Sequence, residues 1–118
     1  MGRFLVLWRM NEDFIPGDIT DRQKIIEQIS KITRDDIKKG VIKDWGMSTD
    51  GTCGFAIREE SHADFLKHSL LMAPYINIEK TMDVVTFDES RKVIEEIFKT
   101  KLEMARVSKK PVNIRILR

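Results

Sequence analysis

The sequence predicts an α+β domain built from two interleaved strand–helix units, and three observations carry that reading. Phe4-Leu5-Val6-Leu7-Trp8 is apolar on both faces of a strand. Asp50-Gly51 lies between two short runs and is a strong signal for a tight hairpin. Apolar residues also recur at helical spacing in three other stretches. With 118 residues, one domain is the default, because two would each be too small to hold a core.

Taken in order, residues 3–10 read as a strand, with Phe4, Val6, Trp8 and Met10 on one face and Leu5 and Leu7 on the other. Such a strand is central and covered on both sides. Pro16-Gly17 breaks the chain, and Thr20 with Gln23 has capping-box spacing for a helix over residues 21–39. Ile25, Ile26, Ile29 and Ile32 are its buried stripe, and Gly40 ends it. Residues 41–48 and 53–59 form the hairpin. A two-residue loop puts Trp45 opposite Ala56, Met47 opposite Gly54, and Phe55 opposite Gly46, so large meets small at three successive pairs. One face then holds Ile42, Cys53, Phe55 and Ile57; the other holds Trp45, Met47, Ala56 and Arg58.

Ser61 with Asp64 resembles a second capping box, for a helix over residues 62–73 with Phe65, Leu66, Ser69, Leu70 and Ala73 inside, stopped by Pro74. Residues 76–87 alternate as a strand carrying Ile76, Ile78, Met82 and Val84. Asp88 is placed to cap a third helix, residues 89–106, with Val93, Ile94, Ile97, Phe98 and Leu102 on its apolar side. Lys109-Lys110-Pro111 links to a last alternating stretch, residues 112–117, read as an edge strand.

The order β-α-β-β-α-β is the split βαβ pattern of the ferredoxin-like fold. We assign it to residues 1–88 and read residues 89–118 as an additional helix and basic edge strand of the same domain. In this pattern the helices cover one face of the sheet. With β1 apolar on both faces, and Trp45 and Met47 on the face opposite Phe55 and Ile57, a homodimer is expected to cover the other.

Composition excludes several classes. Hydrophobic residues make up 42% and charged residues 34%, as in ordinary globular proteins. The five-residue apolar run near the start is too short for a signal peptide or a membrane span, and Val6 stands where myristoylation favours Ser or Thr. A cytoplasmic protein with no membrane partner is therefore expected. Cys53 is the single cysteine, so no intrachain disulfide forms, and it reads as a small core residue. Residues 1–98 carry a charge balance of −4 and residues 99–118 one of +6. A basic tail suits phosphate or an acidic partner, or is simply solvated, and this one has no aromatic residue for stacking.

The residues from Gly54 through Glu79 resemble muconolactone delta-isomerase and its relatives in the dimeric α/β-barrel superfamily. Pro74-Tyr75-Ile76-Asn77-Ile78-Glu79 is similar to that family's P-Y-x-[DN]-I-E junction between second helix and last strand. Gly54-Phe55-Ala56-Ile57 followed by Ser61 also fits, and the resemblance covers roughly residues 3–88. It implies a dimer whose two sheets lie face to face. It implies a reaction much less, because the superfamily includes isomerases, cofactor-free monooxygenases, haem-handling proteins and members with no known activity; for an enzyme, proton-transfer isomerisation or cofactor-free oxidation fits the resemblance best. The isomerase's catalytic residues have no position-by-position match here, and none is carried over.

Candidate site residues are polar groups on faces that should be apolar. His62 points into the stripe of the second helix, with His68 on its flank, and Asp36 lies within the angular range of the first helix's isoleucines. The first helix ends at the end of the sheet where the second begins, so Asp36 and His62 are expected to meet as a carboxylate-oriented general base. The plain alternative is a solvated helix end beside a residue that follows a cap. Arg22, Thr33 and Tyr75 are candidates for binding substrate, Arg22 through a carboxylate; the alternative for Arg22 is a packed stem with a solvated head. Glu79 is read as a pocket acid or as the partner of a basic residue at the dimer edge. No metal or cofactor is expected: histidines six apart do not share a helix face, and there is no Cys/His cluster or glycine-rich phosphate loop.

Gly54-Phe55-Ala56-Ile57 also resembles part of an RNA-recognition signature. That signature needs aromatic residues two apart, and Ile57 and Glu59 stand where the platform should continue, which argues against nucleic acid. The leading expectation is a homodimer that binds, and as an enzyme isomerises or oxidises, a small organic molecule. The alternative is a non-catalytic dimeric interaction module that uses the basic C-terminal tail.

Overall fold

The structure, a computed structural model, describes residues 1–108. The strand expected over residues 112–117 lies outside the described residues. The chain divides into two units, residues 1–84 and a second beginning at Val85.

The first unit is α+β. Strand β1 (Gly2–Met10) leads through a 3-10 turn (Glu12–Phe14) to helix α1 (Ile19–Lys38). Strands β2 (Ile42–Met47) and β3 (Cys53–Glu60), helix α2 (His62–Met72) and strand β4 (Ile76–Asp83) follow. The four strands form one antiparallel sheet in the order β2-β3-β1-β4, compatible with the split βαβ arrangement. The expected 76–87 strand stops at Asp83. Among the described residues no helix is long and apolar enough to cross a membrane.

Helix starts follow local chemistry. Asp18, not Thr20, caps α1: its carboxylate accepts the Asp21 N–H at 3.1 Å. Past the end of α1, Gly40 takes a φ of 78°, a conformation glycine adopts without steric cost. Ser61 caps α2 by accepting the Asp64 N–H at 3.1 Å, as its spacing indicates.

The hairpin register is the expected one, with Trp45 opposite Ala56, Gly46 opposite Phe55, and Met47 opposite Gly54. A Cβ on Gly54 would come within 2.4 Å of Trp8 Cζ2, and one on Gly46 within 2.3 Å of Phe55 Cε1. Glycine at both positions is what lets these rings lie against the sheet.

Two irregularities overturn the simple alternation. The β2–β3 register shifts between Ile42 and Asp44, so Ile42 pairs with Arg58 and is buried on the helix-covered side, not beside Phe55. The β1–β4 register shifts between Leu7 and Trp8, with Trp8 opposite Ile78 but Leu7 opposite Lys80. The expected Ile76–Ile78–Met82 face therefore splits, and Met82 sits opposite Leu5 on the side away from α1 and α2.

Under the helices lie Phe4, Val6, Trp8, Ile42, Ala56 and Met72, all buried. Phe4 stacks on Phe65, with ring centroids 4.8 Å apart. On α2 the inward stripe is Phe65, His68 and Met72, whereas Leu66 and Leu70, expected inside, are 60% and 68% exposed. Hydropathy alone favours the leucines; a polar residue, His68, occupies the sheet-facing position because it has polar company there. Trp45 stacks on Trp8 at 5.6 Å and so belongs to the helix-covered side, not to a face awaiting a second subunit. The side away from α1 and α2 presents Leu5, Leu7, Phe55, Ile57 and Met82, with Leu7 and Met82 each 38% exposed.

In the second unit, helix α3 spans Phe87–Ser108. Its cap is Thr86 rather than Asp88. The Thr86 hydroxyl accepts the Glu89 N–H at 3.1 Å, and the Glu89 carboxylate accepts from Thr86 N–H and hydroxyl in return.

Candidate functional site

A cavity with about 110 Å³ of free volume lies between α1, α2 and the covered face of the sheet. The strands supply Val6, Trp8, Trp45, Met47 and Arg58 among others; α1 supplies Ile26, Ile29 and Thr33; α2 supplies His68 and Met72. Three methionines, Met10, Met47 and Met72, make the wall soft and adaptable. The Trp8 ring lies in this wall, and its buried indole N–H has no hydrogen-bond partner among the described residues.

Arg58 and His68 line the cavity, and Asp36 and Glu60 cluster with them. Arg58 on β3 is 2% exposed. Its Nε donates to Glu60 Oε2, and its Nη2 donates to Glu60 Oε1 at 3.3 Å and to Asp36 Oδ2 at 3.0 Å. Asp36 reaches in from α1, and His68 reaches in from α2, with its Nδ1 3.6 Å from Asp36 Oδ2. That distance exceeds a hydrogen bond, but such contacts often tighten only when a ligand is present. Burial, with Arg58 adding to it, holds the His68 imidazole below its ordinary value, while Asp36 and Glu60 oppose the shift. The ring is thus kept as a neutral base, beside a carboxylate and lining an apolar cavity.

The expected site residues scatter. Asp36 meets an imidazole, but it is that of His68. His62 is exposed, and its ring lies near-perpendicular to that of Phe4, with centroids 5.2 Å apart. Thr33 lines the cavity, yet its hydroxyl donates back to Ile29 O at 3.0 Å. Arg22 is held in a bidentate pair by Glu12, at 2.8 Å for each bond, and does not line the cavity. That pair ties the 3-10 turn to α1. Tyr75 contributes its carbonyl, which accepts the Asn11 N–H at 2.9 Å, and is not part of the wall. Glu79 pairs with Arg9 in its own chain. Cys53 is half-buried, with its thiol 3.5 Å from the Ser48 hydroxyl.

Sequence reasoning placed Arg58 on the right face but gave it no role. The available signal was a charged residue on the face shared with Trp45, Met47 and Ala56, where only a paired charge is stable. Among the described residues no group of three His, Cys, Asp or Glu side chains is arranged to hold a metal ion. Comparison with protein families, curated proteins and solved structures finds no match for this chain.

Proposed function

We propose that this chain is a small-molecule-binding homodimer of ferredoxin-like, dimeric-barrel type, working in the cytoplasm, in which His68 takes a proton from a carbon beside a carbonyl. The observation that carries the reading is the cavity with a carboxylate-backed, neutral imidazole in its wall. In this reading Asp36 positions His68 and steadies the imidazolium that forms, and Arg58 fixes Asp36. The imidazolium then returns the proton to another carbon, which is an isomerisation. The likeness of residues 74–79 to the isomerase junction points the same way. The apolar face of the sheet away from α1 and α2 supports the dimer.

Native mass spectrometry of the purified chain tests ligand binding; a small organic adduct is expected. A carbon-acid probe tests the base. Acetophenone exchanges its methyl protons for deuterium in heavy water when a base removes them, so the full chain should accelerate the exchange over buffer. His68→Gln should remove the acceleration. Equal rates for the two proteins would overturn the proton-transfer role. A second reading, a non-catalytic interaction module, draws on that same face and would be favoured by a dimer that carries no adduct.

A further inference from the structure

We propose that the cavity's ligand is a neutral single-ring compound bearing one hydrogen-bond acceptor, and that it is not a carboxylate. The inference rests on the small-molecule reading above and adds the ligand class. Three observations carry it.

The first is size. An apolar cavity of about 150 Å³ takes one benzene ring, and this one offers about 110 Å³, open past the partly exposed Trp45 and Met47. A single ring fits, with a substituent toward the mouth, whereas a fused polycycle does not. The stacked Trp8–Trp45 pair offers a flat apolar wall for a planar ring.

The second is charge. Arg58 is the cation in the wall, and it is already taken by two carboxylates, Asp36 and Glu60. With His68 neutral, the cluster carries a formal charge of −1. A ligand carboxylate would be buried against that excess, without a free cation among the described residues of the wall to pair with.

The third is the hydrogen-bonding inventory. The Trp8 indole is a donor only, is buried, and is unpartnered among the described residues. The Trp8 ring lies in the cavity wall, and a ligand carbonyl or ether oxygen that reaches the nitrogen through a small turn of the ring would satisfy it.

Acetophenone, benzoate and ethylbenzene share a ring and differ in these features. Each is titrated into the full chain and followed by intrinsic fluorescence and by proton–nitrogen correlation spectra. The chain has two tryptophans, and both line the cavity. Two indole signals therefore report on the site, identified by sequential assignment. Acetophenone should bind at least about tenfold more tightly than benzoate and move the Trp8 indole proton downfield. Ethylbenzene should bind without that shift. Benzoate binding as tightly as acetophenone would overturn the neutral-ligand claim while leaving the small-molecule reading intact. Acetophenone binding with the Trp8 signal unmoved would overturn the acceptor claim. Binding of none of the three would overturn the inference together with the reading beneath it.

Discussion

Gly54 has no side chain, and that absence shapes the cavity. A Cβ there would lie 2.1 Å from Gly46 O, a backbone atom, as well as against the Trp8 ring. Gly54→Ala should therefore cost about 1–3 kcal/mol through overpacking, read as a lower urea midpoint, with a shifted tryptophan emission because Trp8 must move. Arg58 is the opposite case, a buried charge that its partners make tolerable. Arg58→Met leaves the Asp36 and Glu60 carboxylates facing apolar surroundings, for a loss of about 3–5 kcal/mol. Adding Asp36→Asn and Glu60→Gln should recover much of it, whereas a loss that persists would point to packing instead. His68 sets a pH dependence. Its folded value lies below its unfolded one, so in the window between them the unfolded chain binds more protons. The stability it contributes is present above the unfolded value of about 6.5 and is lost as pH falls through the lower folded value. Urea midpoints of wild type should drop on acidification from about pH 7 to 5, and those of His68→Gln should drop less.

Between single residues and the whole chain, the β2–β3 hairpin shows how much an element declares in advance. Asp50 organises its turn. Its carboxylate accepts from the Ser48 hydroxyl at 2.6 Å, from the Thr52 hydroxyl at 2.7 Å and from the Thr52 N–H at 3.0 Å. These bonds, the Ser48 hydroxyl foremost, push its pKa down to about 2. The sign follows: the turn's contribution is intact above the ordinary carboxylate range and is lost as pH falls through about 2. Asp50→Ala should speed amide exchange at Ser48 and Cys53, the pair that closes the hairpin, and leave β4 amides unchanged. The turn and the large-against-small pairing were both legible because each depends on neighbours in sequence. The two register shifts were not. A strand pattern of period two carries no mark of an inserted residue, yet one insertion turns Ile42 inward and another turns Met82 outward. The rotation of α2 was hidden for a related reason. Its leucines outscore His68 in hydropathy, and only the sheet brings Arg58 and Asp36 to where an inward histidine finds polar neighbours. The carboxylate half of the pair could be read from the isoleucine stripe of α1. The imidazole half depended on which face of α2 met the sheet.

For the whole molecule, the question is what covers the far side of the sheet. Leu5, Leu7, Phe55, Ile57 and Met82 share that side, contributed by β1, β3 and β4, with Leu7 opposite Phe55 and Leu5 between Ile57 and Met82. The ion pairs Arg3–Glu59 and Arg9–Glu79 flank this patch. An apolar centre with a charged margin is the build of an association surface, since the centre gains from losing water and the margin stays solvated. A second copy offers the same patch and so is self-complementary about a two-fold axis. The proposed dimer should therefore sediment at about twice the 13.8 kDa of one chain at micromolar concentration. Trp45 and Leu7 now make a discriminating pair, because they lie on opposite sides of the sheet. Leu7→Lys puts a charge at the centre of the patch beside Lys80, its partner on β4, and should give a folded monomer that still binds acetophenone. Trp45→Lys acts on the cavity wall and should abolish acetophenone binding while leaving the mass that of a dimer. If Leu7→Lys stays dimeric and Trp45→Lys dissociates, the association surface is not this face. A wild-type chain that sediments as a monomer leaves the patch without a second copy to cover it, and the dimeric-barrel reading falls with it.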